Sequence, residues 1–132
     1  IMWCLILTLP YPSYSFTSNI PKNKKFDVIA FNPPYLPEDK REPKESQKAT
    51  TGGKKGDEII LNFLKQASSY LNKDGIILLI LSSLTPHQRI KSLIDRLNLK
   101  YKAIDEEKFF MEKLECWEIN RNHPRFQPFL HV

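Results

Sequence analysis

Asn32, Pro33, Pro34 and Tyr35 are the residues whose types and spacing bear most directly on chemistry. They follow an almost unbroken apolar run, Phe26 to Phe31. The Asn32 side-chain oxygen and the Pro33 carbonyl are hydrogen-bond acceptors. The two prolines carry no N–H, and their rings hold φ at about −65°. A residue before a proline is pushed into an extended conformation, so Asn32 and Pro33 splay outward with no competing donors between them. Tyr35 adds a ring that stacks on a planar group. The group that fits such acceptors is an amide or aromatic amine NH2, a poor nucleophile because its lone pair is delocalised. Accepting hydrogen bonds from its N–H atoms turns the lone pair toward an incoming methyl carbon. The chemistry read here is therefore methyl transfer to nitrogen, achieved by positioning and preorganised dipoles without a strong base. Asn-Pro-Pro alone also serves as a turn; the apolar strand before it and the aromatic ring after it favour a site.

The elements around the tetrapeptide are those that hold a site at a strand end. Phe26–Phe31 has the continuous apolarity of a strand buried on both faces, as in a parallel sheet covered by helices. The segment from Leu36 to Gly56 is long and polar, which marks a lid, a binding loop or a solvated insertion; simple solvation best explains its charges. Gly52, Gly53 and Gly56 close it, and Asp57 stands where a helix cap belongs. Ile59, Ile60, Phe63, Leu64, Ala67 and Leu71 recur at helical spacing. Asn72 to Gly75 reads as a turn and Ile76 to Leu81 as a second buried strand. Thr85 and Pro86 read as the start of a second helix, with Ile90, Leu93, Ile94 and Leu97 on its inner face. Tyr101–Ile104 and Leu114–Ile119 then form an antiparallel pair, with Leu114 and Cys116 on one side and Glu115 and Trp117 on the other. Cys116 and Trp117 are packing residues in this reading. Ile1 to Leu9 reads as a further buried strand. Strands alternating with helices predict an α/β domain with a parallel sheet and right-handed crossovers. The predicted fold is the C-terminal half of a doubly wound, Rossmann-like sheet ending in an antiparallel hairpin. In such sheets ligands bind beyond the carboxyl ends of the strands, where Asn32 to Tyr35 fall.

Composition narrows the classes without choosing among them. The 132 residues suffice for one compact domain, and 41% of them are hydrophobic. The net charge of +5 permits an acidic or nucleic-acid partner without requiring one, because bases and acids are mixed along most of the chain. The two cysteines and three histidines have no metal-ligand spacing, so no metal site and no disulfide framework is predicted. A reducing, cytoplasmic setting is the expectation. The apolar start, Ile1 to Leu9, is too short to span a bilayer, so no membrane association is expected.

The tetrapeptide resembles motif IV of the amino-type S-adenosylmethionine-dependent methyltransferases. Asn32-Pro33-Pro34-Tyr35-Leu36-Pro37, followed by Gly52-Gly53-x-x-Gly56 and a helix with Phe63-Leu64, resembles the HemK-like glutamine N-methyltransferases of class I peptide-chain release factors. The ending Leu81-Ser82-Ser83-Leu84 is more similar to the archaeal and eukaryotic branch. The resemblance runs from Phe26 to Ile119. It implies that Asn32, Pro33, Pro34 and Tyr35 are catalytic and hold the side-chain amide of a Gly-Gly-Gln glutamine. It implies that Asn32 also approaches the methyl of the cofactor, S-adenosylmethionine. A release factor is the implied substrate, and a small zinc-binding activator subunit, pairing through an edge strand, is an implied partner. The alternative substrate is an amino group of adenine or guanine in nucleic acid, since the same motif serves there; a non-catalytic remnant is the other alternative.

The sequence departs from the family upstream of the motif. The family places a glycine-rich turn and acidic residues there to hold the cofactor; in this chain the first glycine is Gly52 and the first acidic residue is Asp27. Three segments are therefore expected: residues 1–20, atypical of the family; 21–120, a partial methyltransferase domain; and 121–132, an irregular tail. The expectation is a fragment without the cofactor-binding half, with a native-like frame resuming near Phe16 to Ile20, and weak or absent cofactor binding by this chain alone.

Overall fold

The computed structural model describes residues 2, 4–7, 20–33 and 56–121. Its strands are β1 (Cys4–Leu7), β2 (Phe26–Phe31), β3 (Leu71–Ser82), β4 (Lys100–Phe109) and β5 (Glu112–Asn120). Its helices are α1 (Glu58–Ala67), extended by a 3-10 turn over Ser68–Tyr70, and α2 (Gln88–Arg96). The strands form one sheet in the order β1-β2-β3-β5-β4. The first three are parallel, and β5 runs antiparallel between β3 and β4. This is the expected α/β half-sheet with a terminal hairpin. No helix among the described residues is long and apolar enough to cross a membrane.

Partners in register share a face, and the register explains the core. Ile29 and Phe31 of β2 lie beside Ile77 and Leu79 of β3, which lie opposite Ile119 and Trp117 of β5. All six are buried. Ile60, Phe63 and Leu64 of α1 and Ile90, Leu93 and Ile94 of α2 are buried with them. The Phe31 and Phe63 rings sit 4.4 Å apart, while Tyr101 stacks on Trp117 at 4.3 Å. Both helices thus cover one face, as two successive right-handed crossovers moving the same way across the sheet require.

Several local expectations change. Leu71 opens β3 and does not extend the helix, because the chain tightens at Ser68–Tyr70 and turns extended. The turn at Asn72–Gly75 survives as an irregularity inside β3: Phe26 pairs with Leu71 but Val28 pairs with Ile76. Gly75 is needed there, since a Cβ would stand 2.8 Å from Leu71 Cδ1 and 2.9 Å from the Phe26 carbonyl oxygen. Gly75→Ala is expected to destabilise the domain by about 1–3 kcal/mol through overpacking, as a lower urea midpoint would show. Asp57 does not cap α1 with its side chain. Thr85 is not a cap either: α2 starts at Gln88, after His87. The Thr85 N–H instead donates to the Ser82 carbonyl at 3.0 Å, closing a turn before the helix. The early strand is real but not buried. Among the described residues only β2 flanks β1 in the sheet, and Ile6 is 66% exposed.

The end of α2 shows a left-handed cap. Asn98, at φ 59°, donates its N–H to Asp95 O, and Leu99 N–H donates to Ile94 O. Those two bonds satisfy the last carbonyls of the helix, and the burial of both Ile94 and Leu99 closes the motif with an apolar contact. The hairpin strands are longer than apolar periodicity indicates, because β4 and β5 stay paired out to Phe109 and Glu112. The expected connection around Lys108 to Lys113 narrows to a two-residue turn, Phe110–Met111.

Candidate active site

Asn32 is the first residue beyond β2, and it is exposed, while Pro33 is buried. The strand delivers it in a fixed place because Phe31, 2% exposed, is held against Phe63 on the helix side. Asn32, one residue further along an extended chain, emerges on the rim made by the carboxyl ends of the parallel strands. Pro34 and Tyr35 lie outside the described residues, as do the loop up to residue 55, with Gly52 and Gly53, and the tail from residue 122. Of the four predicted site residues, Asn32 and Pro33 are therefore placed at the rim.

The rim continues through β3 and the hairpin. Phe31 pairs with Leu79, so Asn32 is level with Ile80, shortly before β3 ends at Ser82. Ser82 and Ser83 clasp the hairpin just short of its turn. Ser82 Oγ donates to Glu112 Oε2 at 2.5 Å and accepts from Leu84 N–H at 3.0 Å. Ser83 N–H donates to Lys113 O at 2.8 Å, and Lys113 N–H donates to Ser83 Oγ at 2.9 Å. His87 Nε2 lies 3.0 Å from Ser82 O, with its ring edge-on to Trp117. Sequence reasoning took Ser82 and Ser83 only as a branch signature. The usable signal was two hydroxyl residues at the end of a six-residue aliphatic strand, where hydroxyls satisfy the backbone groups a sheet edge leaves open.

The two helix starts are tied together on the same side. Gly56 stands at φ 95°, which only glycine adopts without strain, and its N–H donates to Glu58 Oε2 at 3.2 Å. Asp57, fully buried, accepts from Arg89 Nε at 2.9 Å and from Arg89 Nη2. That hydrogen bonding, opposed by partial burial and aided by the charges of Asp57 and Glu58, raises the guanidinium pKa. Asp57 is thus a joint between α1 and α2 that keeps the end of the long loop beside the rim. Asp27 is occupied elsewhere: Asn72 Nδ2 donates to its Oδ1 at 2.8 Å, at the opposite end of β2 from Asn32.

Cys116 is half-buried on β5, and its thiol pKa is raised by burial first, then by the nearby Asp105 and Glu118 carboxylates. A raised pKa leaves less thiolate at a given pH, and the thiolate is the nucleophile. Cys4 is exposed. Iodoacetamide at pH 8 is therefore expected to label Cys4 several-fold faster than Cys116, read by peptide mass spectrometry.

No group of three metal-ligating residues occurs among the described residues. A nucleotide-like cofactor needs a close-approaching backbone and a carboxylate for its ribose. Gly52 is the first glycine of the chain, and Asp27 is already bonded to Asn72 away from the rim. Asp27, so placed, does not fit the ribose-holding carboxylate of an S-adenosylmethionine site.

The comparisons with known proteins agree with that architecture. A "Putative protein N5-glutamine methyltransferase" of Methanocaldococcus jannaschii is 41% identical over 78 residues, which cover 58% of this chain and 40% of that protein. The chain thus spans well under half of that curated relative. The solved E. cuniculi Mtq2-Trm112 complex, described as responsible for methylation of the eRF1 translation termination factor, matches with TM-score 0.51 and 23% identity. The match covers 74% of this chain and 52% of that one, and at this identity it shows the fold alone. The resemblance to glutamine methyltransferases read from the motif is matched by the Methanocaldococcus jannaschii relative. The family model of the Eco57I restriction-modification methylases matches residues 11–117. Spanning β2, both helices, the rim and most of the hairpin, that match shows that the chain belongs to the Eco57I restriction-modification methylase family.

Proposed function

We propose that this chain supplies the acceptor-holding part of an S-adenosylmethionine-dependent N-methyltransferase. Its substrate in this reading is the side-chain amide of a glutamine in a peptide-chain release factor. The observation that carries the proposal is the position of Asn32: exposed, at the carboxyl end of a buried parallel strand, and followed by a buried proline. There the Asn32 side-chain oxygen accepts from one N–H of the glutamine amide and the Pro33 carbonyl from the other. Both hydrogen bonds strengthen as the nitrogen gives up its conjugation, so they favour the transition state over the bound amide. The glutamine is named by the curated relative's own description. By analogy with Mtq2-Trm112, a small activator subunit is proposed as a partner, pairing along the outer edge of β1, beyond which no strand lies among the described residues.

A second reading is favoured by the family's own name, a restriction-modification methylase. In it the NH2 group belongs to adenine or guanine, and the same acceptors serve. One assay separates the two. The chain alone, and a chimera joining it to the upstream region of the Methanocaldococcus jannaschii relative, are incubated with tritiated S-adenosylmethionine and either a class I release factor or duplex DNA. Label on the release-factor glutamine from the chimera, with little from the chain alone, is the expected result. Label on DNA bases with none on the protein would overturn the protein reading.

A further inference from the structure

We infer that the β4–β5 hairpin is a docking arm for a folded protein substrate, with an apolar tip at Phe110 and Met111 on an acidic stem. The inference deepens the protein-substrate reading and rests on it.

Register places the arm on the side of the site. β4 runs parallel to β3, so its carboxyl end reaches the same rim as Asn32. Ile80, level with Asn32, pairs with Cys116. Five residues separate Cys116 from Met111, so at about 3.3 Å per residue the tip overhangs the level of Asn32 by about 17 Å. With neighbouring strands about 4.8 Å apart, the tip stands about 20 Å from Asn32. That span matches the flank of a folded domain whose reactive side chain reaches into the rim.

The tip exposes what a free surface rarely does. Phe110 is 92% exposed, Met111 79% and Phe109 51%. Met111 also holds φ 65°, a conformation that glycine or asparagine adopts more readily than a long side chain. The arm is held close to its tip: the Ser82–Glu112 and Ser83–Lys113 bonds pin the residues just after the turn to the end of β3. A pinned arm costs little backbone ordering on binding, and aromatic and methionine side chains are enriched at protein interfaces.

Charge selects the occupant. From Asp105 to Glu115 the arm carries five carboxylates and two lysines, opposite in sign to the +5 of the whole chain. Lys113 bridges Glu106 and Glu115 at 3.6 Å and 3.9 Å, while Asp105 and Glu107 line a groove of about 270 Å³ with Ile80, Leu114 and Cys116. A phosphate backbone or an anionic lipid surface is repelled by this stem. A basic protein surface with an apolar recess beside its reactive glutamine is attracted to it.

The test is binding of the chain, without cofactor, to three immobilised probes: a purified archaeal class I release factor, a short Gly-Gly-Gln peptide and duplex DNA. The wild-type chain should bind the release factor, more weakly as salt rises. Phe110→Ser/Met111→Ser should weaken that binding by at least about 10-fold while leaving the circular dichroism spectrum and melting temperature unchanged. Asp105→Lys/Glu107→Lys should weaken it by about 10-fold and remove most of the salt dependence. Peptide binding should be the same for all three proteins. Equal release-factor affinity in wild type and tip variant overturns the docking arm and leaves the glutamine reading standing. Tighter binding to DNA than to the release factor sinks both. A dimer in sedimentation that the tip variant dissolves assigns the tip to self-association and overturns the inference.

Discussion

Replacing Asn32 by alanine is expected to lower methyl transfer to the substrate amide by about 10²–10³-fold, the effect of removing one preorganised hydrogen-bonding group aimed at a reacting centre. The loss should fall on kcat, with KM changed by less than about 3-fold, because the interaction matters most when the nitrogen lone pair leaves conjugation. Fold should be unaffected, since Asn32 is exposed and follows the last residue of β2. Asn32→Asp is the instructive companion. It keeps the acceptor oxygen but adds a negative charge, which attracts an amide N–H yet also holds an approaching cationic methyl donor in the ground state. It should therefore retain more activity than the alanine variant. Single-turnover transfer in the chimera described above measures both. Activity in Asn32→Ala within 3-fold of wild type would falsify the assignment.

The other large effect is on stability. Phe63→Ala is expected to cost about 3–5 kcal/mol, because a fully buried ring is replaced by a cavity that its neighbours only partly fill. Phe63 has no exposed surface and lies 4.4 Å, centroid to centroid, from Phe31. Against a total stability of about 5–15 kcal/mol that loss is a large share, so the variant should populate unfolded molecules under mild urea. It should also reach the site. Phe31 is the last residue of β2, and a cavity beneath it frees the strand end that aims Asn32. Phe63→Leu, which keeps most of the volume, should recover more than half of the loss. Urea denaturation followed by tryptophan fluorescence reads both, since Trp117 is buried in the same core. A cost below 1 kcal/mol for Phe63→Ala would contradict the packing assigned to this core.

Much of this molecule is legible in its residues because the relevant signals are local. A six-residue run broken only by Asp27, then Asn32 and two prolines, defines β2 and its end. The inner faces of both helices follow from spacing alone, and Ile60, Phe63, Leu64, Ile90, Leu93 and Ile94 are buried as that spacing indicates. The chemistry of Asn32 and Pro33 is equally local, since proline restricts its own φ and its neighbour's ψ wherever it sits. Boundaries were less legible where a side chain found a distant partner. Asp57 looks like a cap in sequence, but Arg89, 32 residues away, takes its carboxylate. Thr85 looks like a cap, but its backbone closes a turn on Ser82 instead.

What the tertiary structure alone decided is how the last strands meet the site. Sequence order places β4 before β5, yet the sheet sets β5 between β3 and β4. The charged stretch Asp105–Lys108 has no apolar period, so nothing local announces that it stays paired and projects past the rim. Register is a pairing between residues far apart in the chain, and a shift of one residue turns every side chain to the other face. Local residue types thus determined which groups are proposed to hold an amide. Long-range pairing decided that an exposed Phe110–Met111 tip stands beside them.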